Sequence, residues 1–314
     1  MALDPVSIAI GIIQTLVLVI LAPLLTGIMR KTKARTQKRV GSSILQPYYD
    51  MIKLMKKDEV VSESSSWIFR ASPWINFVSV VGAACFIPVM IFYSPFGLVG
   101  DILVVIGLFG LGRFFTLLAG LDVASSFGGL GSSREMMMSA LIEPAFFITI
   151  FAVSLTLGGT NLSTMVESAA HSTILAPSMI FAAISLFIII LAESGRLPFD
   201  NPATHLELTM MHEATILEYS GKSLALIEWS QSIKQMVLLG LFVNLFVPFG
   251  ISTTVSFAVL GIGLMFFIAK TAFLSIFIAF IETKVAKWRL FRVPDLISMA
   301  VASSIIGVIF FYLK

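Results

Sequence analysis

Between Glu193 and Glu228 the sequence reads ESGRLPFDNPATHLELTMMHEATILEYSGKSLALIE, with Glu193, Asp200, Glu207, Glu213, Glu218 and Glu228 set among apolar residues and accompanied by Arg196, His205 and His212. Further ionisable groups stand in strongly apolar runs: Arg113, Asp122, Glu143, Lys234 and Lys270. An ionisable group at membrane depth costs about 2.5–3.5 kcal/mol on insertion scales, so such groups face a bundle interior or a water cavity. Carboxylates and histidine at intervals, beside membrane lysines, are what a proton relay needs, because desolvation and neighbouring charge can bring both types to titrate near neutrality. The competing reading is structural: ion pairs between helices, snorkelling lysines and interfacial caps. That reading suits Arg113, Asp122 and Glu228 better than Glu143 and Lys270.

The elements that must position these groups follow from composition. Of 314 residues, 57% are hydrophobic and 12% charged, against about a quarter charged in an average soluble domain. This excludes an ordinary soluble enzyme, a disordered chain and a disulfide scaffold, and leaves an all-α polytopic membrane protein. Cys85 alone makes no disulfide and no Fe–S cluster, and three histidines without HExxH or CxxC spacing give no metal site. The opening MALDPVSIAI lacks a basic n-region, so its apolar run reads as a retained span.

Eight spans are expected, at about 6–28, 74–93, 98–118, 141–158, 174–192, 230–249, 255–280 and 295–313, in one membrane domain over 1–314. The runs are continuous rather than alternating, which excludes a transmembrane barrel. Lys and Arg concentrate in the loops at about 29–73, 119–140, 193–229 and 281–294, whereas the loops after spans two, four and six hold none. The positive-inside rule then puts those four loops in the cytoplasm and both termini outside. Within the first loop, Ile44–Lys57 spaces its apolar residues as an amphipathic helix for a membrane surface or a partner. Asp200-Asn201-Pro202 predicts a helix start, a helical pattern runs over about 203–219, and Ser220-Gly221 predicts its end. Pro144 is expected to disfavour α-helical geometry at Glu143 and leave backbone carbonyls free for water, and Lys234 is placed close to Glu228. There is no internal repeat and no nucleotide or nucleic-acid motif.

The segment GRLPFDNPATHLELTMMHEATILEYSG resembles a hallmark of the complex I subunit 1 family. Arg39-Val40-Gly41, then Leu45-Gln46-Pro47, Asp50 and Lys53-Leu54, resembles that family's first cytoplasmic loop, and Lys270 resembles its membrane lysine. Two features depart from its quinone-reducing members: Ala203 and His205 stand where two acids of an E-A-E-x-E helix would precede Glu207, and Ser42 replaces a proline. MMHEATILEYSG and WRLFRVPDL look more like the membrane anchor of group 4 membrane-bound [NiFe] hydrogenases, in the formate hydrogenlyase and hydrogenase-4 branch.

The resemblance implies a non-catalytic subunit of the cytoplasmic (inner) membrane. It would hold a [NiFe] hydrogenase large subunit and an Fe–S small subunit at its cytoplasmic face, beside antiporter-like membrane subunits. [4Fe-4S] clusters and the NiFe centre would sit in those partners, with no cofactor in this chain unless a lipid. Ion movement would use Glu143, Glu193, Glu207, Glu213, Glu218, Glu228, Lys234 and Lys270. Arg39, Gln46, Asp50, Arg134, Arg196 and Asp200 would dock partners or fix loops. The alternatives are a quinone-chamber subunit of complex I, a stand-alone transporter, and a purely structural anchor.

Overall fold

A computed structural model describes residues 5–90, 100–171, 176–200, 211–251, 257–286, 288 and 292–313. Among these residues the chain is all-helical, with eleven helices: α1 (Pro5–Thr36), α2 (Gln46–Met55), α3 (Trp67–Cys85), α4 (Ile102–Asp122), α5 (Ser126–Leu157), α6 (Leu162–His171), α7 (Pro177–Glu193), α8 (His212–Thr215), α9 (Gly221–Phe246), α10 (Phe257–Lys284) and α11 (Val293–Tyr312).

Each long helix is apolar on two faces. On α1, Leu18, Ala22, Leu25 and Met29 are buried while Ile12, Leu16 and Ile20 are exposed. Phe266, Phe273, Phe277 and Phe280 on α10, and Phe147 and Phe151 on α5, are likewise exposed. Exposed apolar belts of this extent are foreign to a water-soluble monomer and suit lipid or partner helices. The protein is therefore a membrane-embedded helical bundle. Six described helices are long and apolar enough to cross a membrane, namely α1, α3, α4, α5, α10 and α11. The expected fifth and sixth spans fall on α7, which has 17 residues, and on α9, which carries Lys222, Glu228, Gln231, Lys234 and Gln235 in its first fifteen.

The helix ends depart from the hydropathy reading. α1 continues to Thr36 through Lys31, Lys33 and Arg35, because charge ends an apolar run without ending a helix. α5 begins at Ser126, so most of the loop expected at 119–140 is helical. Ser125 caps it by accepting from Gly128 N. Each helical glycine costs about 1 kcal/mol in propensity. Packing offsets this: a side chain on Gly131 would strike Ala214 and Thr215 of α8, so only glycine allows that approach. α5 also continues as helix through Glu143-Pro144, so Glu143 is helical, against expectation.

The amphipathic stretch at 44–57 forms α2, with Pro47 and Met51 buried against the bundle. α6 is a short helix in what hydropathy left as the loop after the fourth span. The expected helix over 203–219 lies partly outside the described residues. Within them only the turn α8 is helical, and 216–219 is a turn. Ser220-Gly221 opens α9 instead of ending a helix. Ser220 Oγ donates to Val60 O, and Gly221, at φ +52°, lies against the Asp58 backbone.

α3 packs on α4 and α9, α1 on α9 and α10, and α5 on α4, α7 and α11. The end of α7 at Glu193 thus lies inside the bundle beside the middles of α4 and α9, which carry Arg113 and Lys234.

Candidate functional site: a buried charged centre between two cavities

Arg113 of α4, Glu193 of α7 and Lys234 of α9 meet where those helices converge. Glu193 Oε1 accepts from Arg113 Nη2 and, at 2.8 Å, from Lys234 Nζ. Arg113 Nη1 donates to Glu143 Oε1 of α5 at 3.1 Å. Lys234 Nζ also stands 5.7 Å from the centroid of Phe109, a cation–π contact. The Glu193 side chain is 3% exposed, whereas that of Glu143 is 41% exposed on the bundle's flank.

About two turns before Glu143 on α5, Glu135 Oε2 lies 3.4 Å from His212 Nδ1 and accepts from Thr215 Oγ1 at 3.5 Å. His212 N in turn donates to Asp200 Oδ2 at 3.3 Å. Three carboxylates (Glu135, Glu143, Glu193) thus face Arg113, Lys234 and, when it holds its proton, His212, with the Asp200 carboxylate beside the His212 backbone. Burial opposes the charge on His212, but the Glu135 carboxylate, with help from Glu213, more than offsets it and raises the His212 pKa above its ordinary value.

A raised pKa contributes stability that is fully present below the unfolded value, near 6.5, and is lost as pH climbs through the folded one. The gap in thermal midpoint between the unaltered protein and His212→Asn is therefore expected to shrink as pH rises above about 6.5. A gap constant with pH would show that folding leaves the His212 pKa unshifted, and a gap that widens with pH would show that the fold holds it neutral.

Two cavities flank the centre. The smaller, about 70 Å³, is lined by Arg113, Glu135, Glu193, His212 and Lys234 among others. It has room for about five waters, at 10–15 Å³ each. Glu193 Oε2 is buried beside it and has no hydrogen-bond partner among the described residues. The larger, about 420 Å³, opens toward the basic end between α1, α2 and α9 and is lined by Arg30, Arg39, Arg196, Glu213, Glu228 and Glu282 among others. Gly195, Asp200, His212 and Gln231 line both, so the cavities adjoin. The arrangement can pass a proton from the larger cavity through Glu135–His212 to Glu193 and Glu143.

The expected site residues divide. Glu143, Glu193 and Lys234 come together, Lys234 pairing with Glu193 rather than with Glu228. Glu213, Glu228, Arg39, Arg196 and Asp200 line the larger cavity. Gln46 donates to Asp50, which pairs with Arg30 at 3.7 Å on the surface beside α2. Arg134 lies on α5, half-buried. Glu207, with Ala203 and His205, lies outside the described residues. Glu218 is exposed, away from the centre.

Lys270 donates to Val247 O and Phe249 O, capping the far end of α9 and taking no part in the centre. Asp122 is a tie for α3, accepting from Ser66 N at 2.7 Å. Sequence reasoning passes over Glu135 and Glu282. Placing the start of α5 at Ser126 is the signal that sets Glu135 and Glu143 on one helix. The Glu-Tyr-Ser-Gly motif is scaffold: Tyr219 stacks on Phe69 at 4.0 Å and donates to Phe69 O, while Ser220 and Gly221 fasten residues 58–60.

Comparison with known proteins follows the same lines. The family described as NADH dehydrogenase matches residues 8–312. The chain is 34% identical over 293 residues to formate hydrogenlyase subunit 4 of Escherichia coli (strain K12), covering 92% of this chain and 93% of that one. It is 34% identical to hydrogenase-4 component C of the same organism, covering 91% and 90%. It is 31% identical to the homologous NADH-quinone oxidoreductase subunit of Orientia tsutsugamushi (strain Boryong), covering 70% and 64%. A chain of the membrane-bound sulfane sulfur reductase, an archaeal respiratory membrane complex, shares the fold with a TM-score of 0.80 over 96% of this chain and 99% of that one, at 19% identity.

Proposed function

The chain belongs to the NADH dehydrogenase family of membrane proteins, which takes in the complex I subunit 1 type, and from that premise we propose that it is the membrane anchor and proton-coupling subunit of a formate hydrogenlyase-like [NiFe] hydrogenase. It crosses the membrane eight times with both termini outside, and its basic end faces the cytoplasm. There α2 and the Arg30–Asp50 surface hold the hydrogenase large subunit and its Fe–S small subunit, which carry the NiFe centre and [4Fe-4S] clusters. The carrying observation is that His212–Glu135 and Arg113–Glu193–Lys234 line one small cavity that adjoins the larger one, with half-exposed Glu143 paired to Arg113.

Beyond Lys234, α9 presents Val237, Leu238, Leu239 and Leu241, all fully buried and apolar. This favours a relay that leaves sideways at Glu143, toward an antiporter-like neighbour, over a pore straight through this chain. A carboxylate partly exposed at membrane depth is unfavourable unless a partner helix covers it.

The test is to isolate the complex from native membranes in mild detergent, identify its companions by mass spectrometry and assay hydrogen evolution from reduced viologen. NiFe and Fe–S companions with hydrogen evolution support the proposal; a quinone- or NADH-linked complex without it overturns the hydrogenase part. The size and mixed apolar and charged lining of the larger cavity favour a second reading, a quinone chamber in a complex I-type enzyme. Ala203 and His205, in place of two acids, weigh against it. Isolation with no partner overturns both.

A further inference from the structure

Glu282, near the basic end of α10, is the most deeply buried carboxylate in the larger cavity's wall, its side chain 1% exposed. Among the described residues neither of its oxygens has a hydrogen-bond partner. Lys33 of α1 stands 3.7 Å from one and Arg196 3.6 Å from the other, ion pairs too long to be direct hydrogen bonds. A helix end that needed only a counter-charge would leave its carboxylate in solvent, because burial without direct hydrogen bonds is unfavourable. The reason for burial lies with Arg196.

Arg196 follows Glu193 by three residues and is the hub of the segment 194–200. Its N donates to Leu191 O, its carbonyl accepts from Phe199 N and Asp200 N, and its Nη2 donates to Gln235 Oε1 at 2.8 Å. Gln235 is the neighbour of Lys234 on α9, and its amide reaches Met29 Sδ on α1. Trp288 N donates to Pro198 O, so the region beyond α10 grips the same segment. The chain that ends α7 is thus fastened to α9 and α10 at one guanidinium, with α1 joined through Gln235.

We infer that Glu282 is a positioning residue of the charged centre: through Arg196 it fixes the segment 194–200 and so sets Glu193 between Arg113 and Lys234. The inference rests on the proposed coupling function. Lys33 balances the second charge in the wall and ties α1 into the same clamp.

The test uses the whole complex in sealed vesicles and reads protons moved per hydrogen evolved. Glu282→Gln and Arg196→Gln are each expected to lower that ratio by about fivefold or more. The double variant is expected to lose no more than the worse single, because residues acting through one another are not additive. A full ratio in Glu282→Gln, or losses that multiply in the double variant, overturns the inference.

Should a single variant fail to assemble, the pair Lys33→Leu/Glu282→Leu removes one charge of each sign and keeps the wall's net charge. It is expected to assemble and to couple poorly, and full coupling in it overturns the inference. Glu143→Gln is the control. A full ratio there as well overturns the proposed function, whereas a full ratio in Glu282→Gln alone overturns only the role of Glu282.

Discussion

Glu193→Gln is expected to lower the stability of the bundle by about 3–5 kcal/mol, the range for removing one partner of a buried ion pair and leaving the other charge uncompensated. Glu193 is the only described carboxylate that touches both Arg113 and Lys234. Without its charge the two cations face each other across a small cavity, with Glu143 left to answer Arg113 alone. A shift of 1 kcal/mol moves the thermal midpoint of a domain of comparable size by about 2–4 °C, so the fall is on the order of 10 °C. Glu193→Gln/Lys234→Gln removes one charge of each sign and is expected to recover most of the loss, because a balanced buried pair contributes little net stability. Thermal loss of monodispersity in detergent measures both. A midpoint for Glu193→Gln within 1 or 2 °C of the unaltered protein, less than about 1 kcal/mol, would show that Arg113 and Lys234 are solvated rather than held by Glu193.

That dependence explains what the sequence makes legible and what it hides. Helices are local, so the apolar runs, the amphipathic residues of α2 and the placement of basic residues can be read one after another along the chain. Their ends cannot, where packing decides: Gly128 and Gly131 read as loop until α4 is laid against the first and α8 against the second. The centre is harder still. Arg113, Glu143, Glu193 and Lys234 lie on four helices, and no spacing connects them. Each is visible as a costly charge, but its partner is not, which is why nearness in sequence points Lys234 to Glu228 while the fold pairs it with Glu193. The same limit acts in reverse on Asp122 and Lys270. Both look costly in sequence, and both are engaged by backbone: Asp122 at the start of α3, Lys270 at the end of α9. Glu135 escapes notice because it falls in a stretch that hydropathy reads as loop, and Glu282 because it lies near a helix end, where a carboxylate is ordinary until the fold buries it.

Glu143→Gln is expected to separate coupling from assembly. The amide keeps an oxygen for Arg113 Nη1, and Arg113 keeps Glu193, so no buried charge loses its last partner. The side chain is also the most exposed of the centre, which limits the energetic cost of the change. The complex should therefore assemble and evolve hydrogen from an artificial donor. An amide cannot take up and release a proton, and Glu143 is where the run of ionisable groups reaches the bundle's flank. Proton movement per hydrogen evolved should then fall by about tenfold or more, the scale of loss when a positioned proton-transfer group is replaced by one that cannot titrate. Glu143→Asp, which restores a carboxylate one methylene shorter, should recover part of it. Sealed vesicles holding the complex and a pH-sensitive dye report the ratio directly. An unchanged ratio in Glu143→Gln would mean that protons do not pass through this carboxylate, and would leave the centre as an ion-pair network that only holds α4, α5, α7 and α9 together.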